Sequence, residues 1–197
     1  MDKANITGVI LAGGKASRMG GTDKGLVPFS GHPMIEYIIA AVRPQVATLL
    51  INANRNIEHY KQYGYPVVPD HIGGYQGPLA GMAGCMAATD TDYILTLPCD
   101  SPCVSDDLVS RLATELQARQ AEICTAHDGD RLQPVFALLH TGLLTSLEKF
   151  LADGNRKIDK WYAQHKLAVA DFSDCPETFS NINTPADISE LEARVLN

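Results

Sequence analysis

No stretch of the 197 residues approaches the roughly 20 consecutive apolar residues that cross a bilayer, and the first residues lack the charged-then-apolar layout of a signal peptide. Neither a membrane role nor export is expected. Positive charge is also scarce: 16 Lys and Arg stand against 23 Asp and Glu, a net charge of −7. That balance argues against broad nucleic-acid binding, so an anionic ligand has to be met by a local cluster of cations. Cysteines at framework spacing are missing too. Cys85, Cys99, Cys103, Cys124 and Cys175 are odd in number and irregularly placed, which points away from disulfides and toward a reducing, cytoplasmic setting.

Several catalytic and cofactor patterns are absent as well. Cys99-x-x-x-Cys103 has no second cysteine pair and no nearby histidine at zinc-ligand spacing, and the six histidines form no spaced ligand pair. No Gly-x-Ser-x-Gly elbow occurs, which argues against an α/β-hydrolase. Gly14-Lys15 is followed by Ala16 rather than Ser or Thr, so the P-loop is excluded. Gly13-Gly14-Lys15 does not supply the Gly-x-Gly-x-x-Gly of a dinucleotide fold. Internal repeats, low-complexity tracts and long linkers are also lacking. The length suits one domain over residues 1–197, and 45% hydrophobic with 20% charged residues is ordinary globular composition.

What the chain does have is alternation. Strand-like runs cover Thr7 to Leu11, Thr48 to Ala53, Pro66 to Val68, Tyr93 to Leu97, Ile123 to Ala126, Val135 to Leu139 and Leu167 to Phe172. Helix-like stretches cover Met34 to Val42, Leu79 to Ala88, Asp106 to Arg119, Leu143 to Leu151, Asp159 to His165 and Pro185 to Leu196. This order predicts a three-layer α/β fold with a mostly parallel central sheet. Ligands bind beyond the carboxyl ends of the strands in such sheets. The first four strands end in Ala12-Gly13-Gly14, Asn52-Ala53-Asn54-Arg55, Pro69-Asp70 and Pro98-Cys99-Asp100, all of ligand-binding type.

The first of these ends opens a loop with paired glycines and three cations, Lys15, Arg18 and Lys24. Glycines let backbone approach a ligand closely, and amides freed at the end of a strand point toward anions. Amides and cations together make a place for phosphates. Asp100, at the mouth of a buried-looking strand and ahead of Ser101-Pro102, is placed to hold Mg²⁺, which needs only one or two protein carboxylates. Its other reading is an Asx-turn cap before Pro102. Asp70 suits either a ligand or nucleoside role or a turn. The stretch Ile72 to Gly81 offers amides at a helix start, although Gly77-Pro78 also simply begins helices. Thr184, Pro185 and Asp187 read as a capped helix start, while Asn181 and Asn183 suit either a polar acceptor molecule or turn positions.

Leu11-Ala-Gly-Gly14, Arg18-Met-Gly20 and Asp23-Lys24-Gly-Leu26 resemble the signature of nucleotidyltransferases with a Rossmann-like core. With Asn52-Ala-Asn-Arg55, Asp70, Gly77-Pro-Leu-Ala-Gly81, Pro98-Cys-Asp-Ser-Pro102 and Asn181-Ile-Asn-Thr-Pro185, the fuller pattern is similar to the molybdenum cofactor guanylyltransferases. The resemblance spans nearly the whole chain. It implies transfer of GMP from GTP to the terminal phosphate of molybdenum-molybdopterin, with Mg²⁺ as cofactor and pyrophosphate as the other product. It implies that Leu11, Ala12, Gly13, Lys24, Asn52, Asp70 and Asp100 bind GTP. Lys24, Arg18 and Asp100 would carry catalysis, with Asp100 as the metal ligand. Gly14, Gly81, Asn181 and Asn183 would lie toward the molybdopterin. Residues to about 105 would bind nucleotide and the rest would contribute to the acceptor side. Cofactor-delivery proteins and chaperones of apo-molybdoenzymes are the further partners implied. Ala16 stands where many relatives have serine, and both Gly21 and Thr22 precede Asp23-Lys24 where many have one residue. Both departures touch the loop and leave its cations in place.

Overall fold

Six consecutive buried residues, Ile6–Leu11, form the first strand, β1, and their side chains alternate between two hydrophobic layers. Ile6 and Ile10 enter one layer, Val9 and Leu11 the other. A strand is apolar on both faces when helices cover both sides of its sheet. The structure, a computed structural model, describes residues 1–14, 23–70 and 77–195. Within them the chain continues through a short hairpin, β2 (Pro28–Phe29) and β3 (His32–Pro33), then α1 (Met34–Val42), β4 (Thr48–Asn52), α2 (Ile57–Lys61) and β5 (Val67–Val68). There follow α3 (Pro78–Ala87), β6 (Tyr93–Pro98), α4 (Leu108–Ala118), β7 (Ile123–His127) and β8 (Leu132–His140). The last elements are α5 (Leu144–Ala152), α6 (Ile158–Tyr162), β9 (Leu167–Asp171) and α7 (Pro185–Val195).

Among the described residues, seven strands form one sheet in the order β5-β4-β1-β6-β8-β7-β9. β8 runs antiparallel to β6 and β7, and every other neighbouring pair is parallel. Ile35, Ile38 and Val42 of α1 and Leu108, Leu112 and Leu116 of α4 fill one layer. Leu79 and Met82 of α3, Leu147 and Phe150 of α5 and Trp161 of α6 fill the other. The expected three-layer, mostly parallel α/β architecture is the observed one. No helix among the described residues is long and apolar enough to cross a membrane.

Three details depart from the sequence expectation. The β2–β3 hairpin turns at Ser30 and Gly31, with φ of 44° and 88°, so both central residues occupy the left-handed region that a tight hairpin favours. α2 is a single short helix started by Asn56 at φ 49°. β8 begins before Val135 because the β7–β8 register shifts between Thr125 and Ala126, opposite Pro134. A bulge removes the need for the proline N–H in the ladder, and Thr125 Oγ1 donates to Gln133 C=O at 3.0 Å there.

The connectivity positions the site. From β1 the chain moves outward through β4 to β5, then returns to lay β6 on the other side of β1. Such a reversal opens a crevice beyond the strand's carboxyl end. Ala12 N–H donates to Asn52 C=O at 2.8 Å, and Cys99 N–H to Leu11 C=O at 3.2 Å, so the three strand ends are fixed side by side. A smaller cluster of Val27, Phe29, Met34, Ile182 and Leu191 packs α7 against the hairpin. Ile182 N–H then reaches Asp100 C=O at 2.8 Å, bringing the far end of the chain back to the crevice.

Candidate active site

Two adjoining cavities open at this crevice. The larger, about 370 Å³, is lined by Leu11, Gly13, Gly14, Asn52, Asp70 and Gly77 among others. The smaller, about 190 Å³, has Ala12, Asp23, Lys24, Arg55, Cys99 and Asp100 in its wall. Leu11, Gly14 and Pro98 belong to both.

The larger cavity is built around an asparagine brace. Asn52 Nδ2 donates to Val68 C=O and to Asp70 Oδ1, each at 3.0 Å. Asn54 Oδ1 accepts from Asp70 N–H at 2.8 Å, and Asn54 Nδ2 reaches Gly13 C=O at 3.4 Å. The ends of β1, β4 and β5 are thereby joined through two side chains. Two glycines make room for them. A Cβ on Gly13 would lie 2.9 Å from Asn54 Nδ2, and one on Gly81 would overlap Asn52 Oδ1. Gly14 has open space on its Cβ side.

Gly81→Ala therefore separates stability from binding. Alanine in a helix interior gains about 1 kcal/mol over glycine, while overpacking costs about 1 to 3 kcal/mol, so a net loss near 1 kcal/mol is expected. Asn52 has to leave its place, and Asp70 loses a donor. If this cavity takes the nucleotide that the sequence resemblance implies, its KM is expected to rise about tenfold while kcat changes far less. A variant with unchanged KM would show that the brace does not shape the nucleotide site.

The smaller cavity holds the charges. Lys24 opens a one-turn 3-10 segment, Lys24–Leu26. Its Nζ lies 2.8 Å from Asp100 Oδ2 and 2.5 Å from Asn183 Oδ1. The Lys24 and Asp100 side chains are 26% and 14% exposed, so the pair faces the cavity without being sealed. The Asp100 carboxylate is turned to Lys24, across the crevice. Asn181 Oδ1 accepts from Ser101 Oγ at 2.5 Å, so of the two asparagines before α7 one ties to the segment after β6 and the other to the Lys24 ammonium. The expected helix cap is present: Asp187 Oδ2 accepts from the N–H groups of Asn183 and Thr184, each at 2.8 Å, and Thr184 Oγ1 accepts from Asp187 N–H at 3.3 Å. Those amide bonds hold the Asp187 carboxyl below the usual carboxylate range. Gly77, at φ 81°, stands before α3 with Pro78 in its first turn. Arg18 and Lys15, also expected to serve this site, lie outside the described residues, as do residues 71–76.

Among the described residues no three or more His, Cys, Asp and Glu side chains gather as a metal cage. A single carboxylate ligand such as Asp100 suits Mg²⁺, which takes its remaining ligands from phosphate and water, while Asp23 in the same wall is bound to Tyr60 and Asn56. Asp100 already accepts one cation, the Lys24 ammonium. All five cysteines are free thiols. Burial, with the charges of Asp100 and Asp23, pushes the Cys99 thiol up, and burial pushes those of Cys85 and Cys124 up to about 12. These groups stay neutral and are not nucleophiles at pH 7.

The sequence places Asp23, Asn54 and Arg55 in its motifs without giving them a role of their own, and does not single out Tyr60. Arg55 is half-buried, lines the smaller cavity and has no carboxylate partner among the described residues. Asn54 and Arg55 stand in the same strand-end segment as Asn52, as the strand-end rule expects.

Residues 8–169 match the model of the MobA-like NTP transferase domain. The chain is 50% identical over 194 residues to the molybdenum cofactor guanylyltransferase of Shewanella halifaxensis, covering 98% of this chain and 97% of that one. It is 51% identical over 186 residues to the protein of the same name from Shewanella amazonensis, covering 94% and 95%. The fold is similar to that of molybdopterin-guanine dinucleotide biosynthesis protein A from Archaeoglobus fulgidus, with a TM-score of 0.79 at 20% identity, over 96% of this chain and 98% of that one. The chain belongs to the MobA-like NTP transferase family, among the molybdenum cofactor guanylyltransferases.

Proposed function

We propose that the chain transfers GMP from GTP to the terminal phosphate of molybdenum-molybdopterin, releasing pyrophosphate and forming a guanine dinucleotide cofactor. The observation that carries this reading is the Lys24–Asp100 pair facing a cavity at the β1 switch point. Half of the chain's residues are shared with relatives named for guanylyl transfer, which supplies the substrate class. Leu11, Ala12, Gly13, Asn52 and Asp70 would hold the nucleoside in the larger cavity. Lys24 and Arg55 would meet the phosphates in the smaller one, with Arg18 as a further cation. Gly14, Asn181 and Asn183 would shape the acceptor side, while Gly81, packed against Asn52, would act on the nucleoside side.

The chemistry asks little of side chains beyond charge and position. An oxygen of the acceptor phosphate forms a bond to the α-phosphorus of GTP. The bond from that phosphorus to the bridging oxygen breaks, and pyrophosphate leaves with the electron pair. The acceptor is already ionised at neutral pH, so no general base is required, which agrees with the neutral thiols around the site. Asp100 would hold Mg²⁺, which when bound neutralises phosphate charge. Lys24, held by Asp100 and Asn183, would present a fixed ammonium to the phosphate oxygens.

Nucleotide competition tests the reading. With Mg²⁺ and molybdopterin, pyrophosphate release from GTP is expected to exceed that from CTP, ATP or UTP at least tenfold in kcat/KM. A preference for CTP would overturn guanylyl transfer while leaving nucleotidyl transfer in place.

A further inference from the structure

A buried polar cluster lies beside Lys24, on the preceding residue. Asp23 is 5% exposed, and each of its carboxylate oxygens has a donor. Tyr60 Oη donates to Oδ1 at 2.7 Å, and Asn56 Nδ2 to Oδ2 at 3.3 Å. Both donors come from the start and body of α2, a helix with no other evident task at the crevice. Tyr60 is fully buried, and burial holds its hydroxyl far above the ordinary phenol range, so it remains a donor. Asp23 C=O also accepts from Leu26 N–H at 3.0 Å, closing the turn that carries Lys24. Space there is tight: a Cβ on Gly25 would lie 2.9 Å from Tyr60 Oη and 3.2 Å from Cys99 Cβ.

A lysine has four rotatable side-chain bonds, so where its ammonium sits depends on both ends of the chain. Asp100 and Asn183 hold the tip of Lys24. The base is held by Asp23, and Asp23 is held by Tyr60. Without the Tyr60 hydroxyl the buried carboxylate keeps, among the described residues, only the longer bond from Asn56. A buried acceptor left short of donors reorients or draws in water, and the turn moves with it.

We propose that Tyr60 is a positioning residue for Lys24, acting through its hydrogen bond to Asp23 to fix the turn that aims the ammonium at Asp100 and Asn183. This rests on the phosphate-directed role of Lys24 proposed above. The test is a double-mutant cycle on the full chain, read as pyrophosphate release. Tyr60→Phe is expected to lower kcat about tenfold with less than a threefold change in the KM for GTP, since misplacement by a fraction of an ångström is costly only in the reacting geometry. In a Lys24→Ala background the same substitution should change kcat by less than about twofold. Asn56→Gly, which keeps the left-handed backbone and removes only the weaker donor, should give a smaller loss that also vanishes in that background. Equal losses with and without Lys24 would show a merely structural role and overturn the proposal. If the unaltered protein releases no pyrophosphate, the transfer reading fails, and the Tyr60 proposal is decided on the protein alone. Lys24 should then react with an amine-directed acylating reagent at least about fivefold faster in Tyr60→Phe, followed by mass spectrometry; an unchanged rate overturns it.

Discussion

Lys24→Ala is expected to lower kcat for pyrophosphate release about 100- to 1000-fold, the loss typical of removing one preorganised group that stabilises transition-state charge. The Lys24 ammonium is held by two oxygens, on Asp100 and Asn183, so its position is set before substrate arrives. As the bond to the α-phosphorus breaks, negative charge gathers on the departing pyrophosphate, and a fixed cation is worth most at that moment. The KM for GTP should rise much less, because Arg55 remains in the cavity wall. Fold stability should fall by about 1 kcal/mol or less, since Asp100 keeps access to water through the cavity. A raised KM with unchanged kcat would make Lys24 a binding group only. Lys24→Arg should restore little: a planar fork cannot reproduce a point charge seated between two oxygens.

The parts of the fold that were legible are those whose local sequence and tertiary setting agree. β1 and β6 are buried on both faces and so read as largely apolar runs, Val9-Ile10-Leu11 and Ile94-Leu95-Thr96-Leu97, the last broken only by the buried Thr96. α2 is five residues long, too short for a 3.6-residue period to show. The β2–β3 hairpin turns on Ser30-Gly31, without the Asn-Gly or Asp-Gly that marks such turns, and its strands have two residues each. At the site, Leu11 to Gly14, Asn52, Asp70 and Asp100 were legible because the end of a parallel strand is a place sequence can find. The bonds that arm the site were not. Lys24 meets Asn183 across 159 residues, and Tyr60 meets Asp23 across 37. Nothing local in Asn56-Ile-Glu-His-Tyr60 distinguishes a tyrosine bound to a buried carboxylate from an ordinary core residue. The asparagines before α7 were ambiguous for the same reason, since their partners, Ser101 and Lys24, are brought to them by the packing of Ile182 and Leu191 against the hairpin.

Asp100→Ala is expected to cost more than about 1000-fold in kcat, the larger loss because it removes two functions together. The carboxylate holds the Lys24 ammonium at 2.8 Å, and on the proposed reading it also holds Mg²⁺ against the phosphates. Asp100→Asn separates them. Its amide oxygen can still accept from Lys24, so the geometry of the pair survives, but a neutral amide is a poor ligand for a hard divalent cation. If positioning of Lys24 were the whole of its role, Asp100→Asn would retain activity within about tenfold of the unaltered protein. If the carboxylate holds the metal, the asparagine variant falls nearly as far as the alanine one. Higher Mg²⁺ should then recover part of the rate, because weakened affinity is offset by mass action. Titrating pyrophosphate release against Mg²⁺ for both variants, with Mn²⁺ binding to the protein–GTP complex followed by electron paramagnetic resonance, distinguishes the cases. A near-normal Asp100→Asn with unaltered Mn²⁺ affinity would move the metal to other ligands and leave Asp100 as the anchor of Lys24.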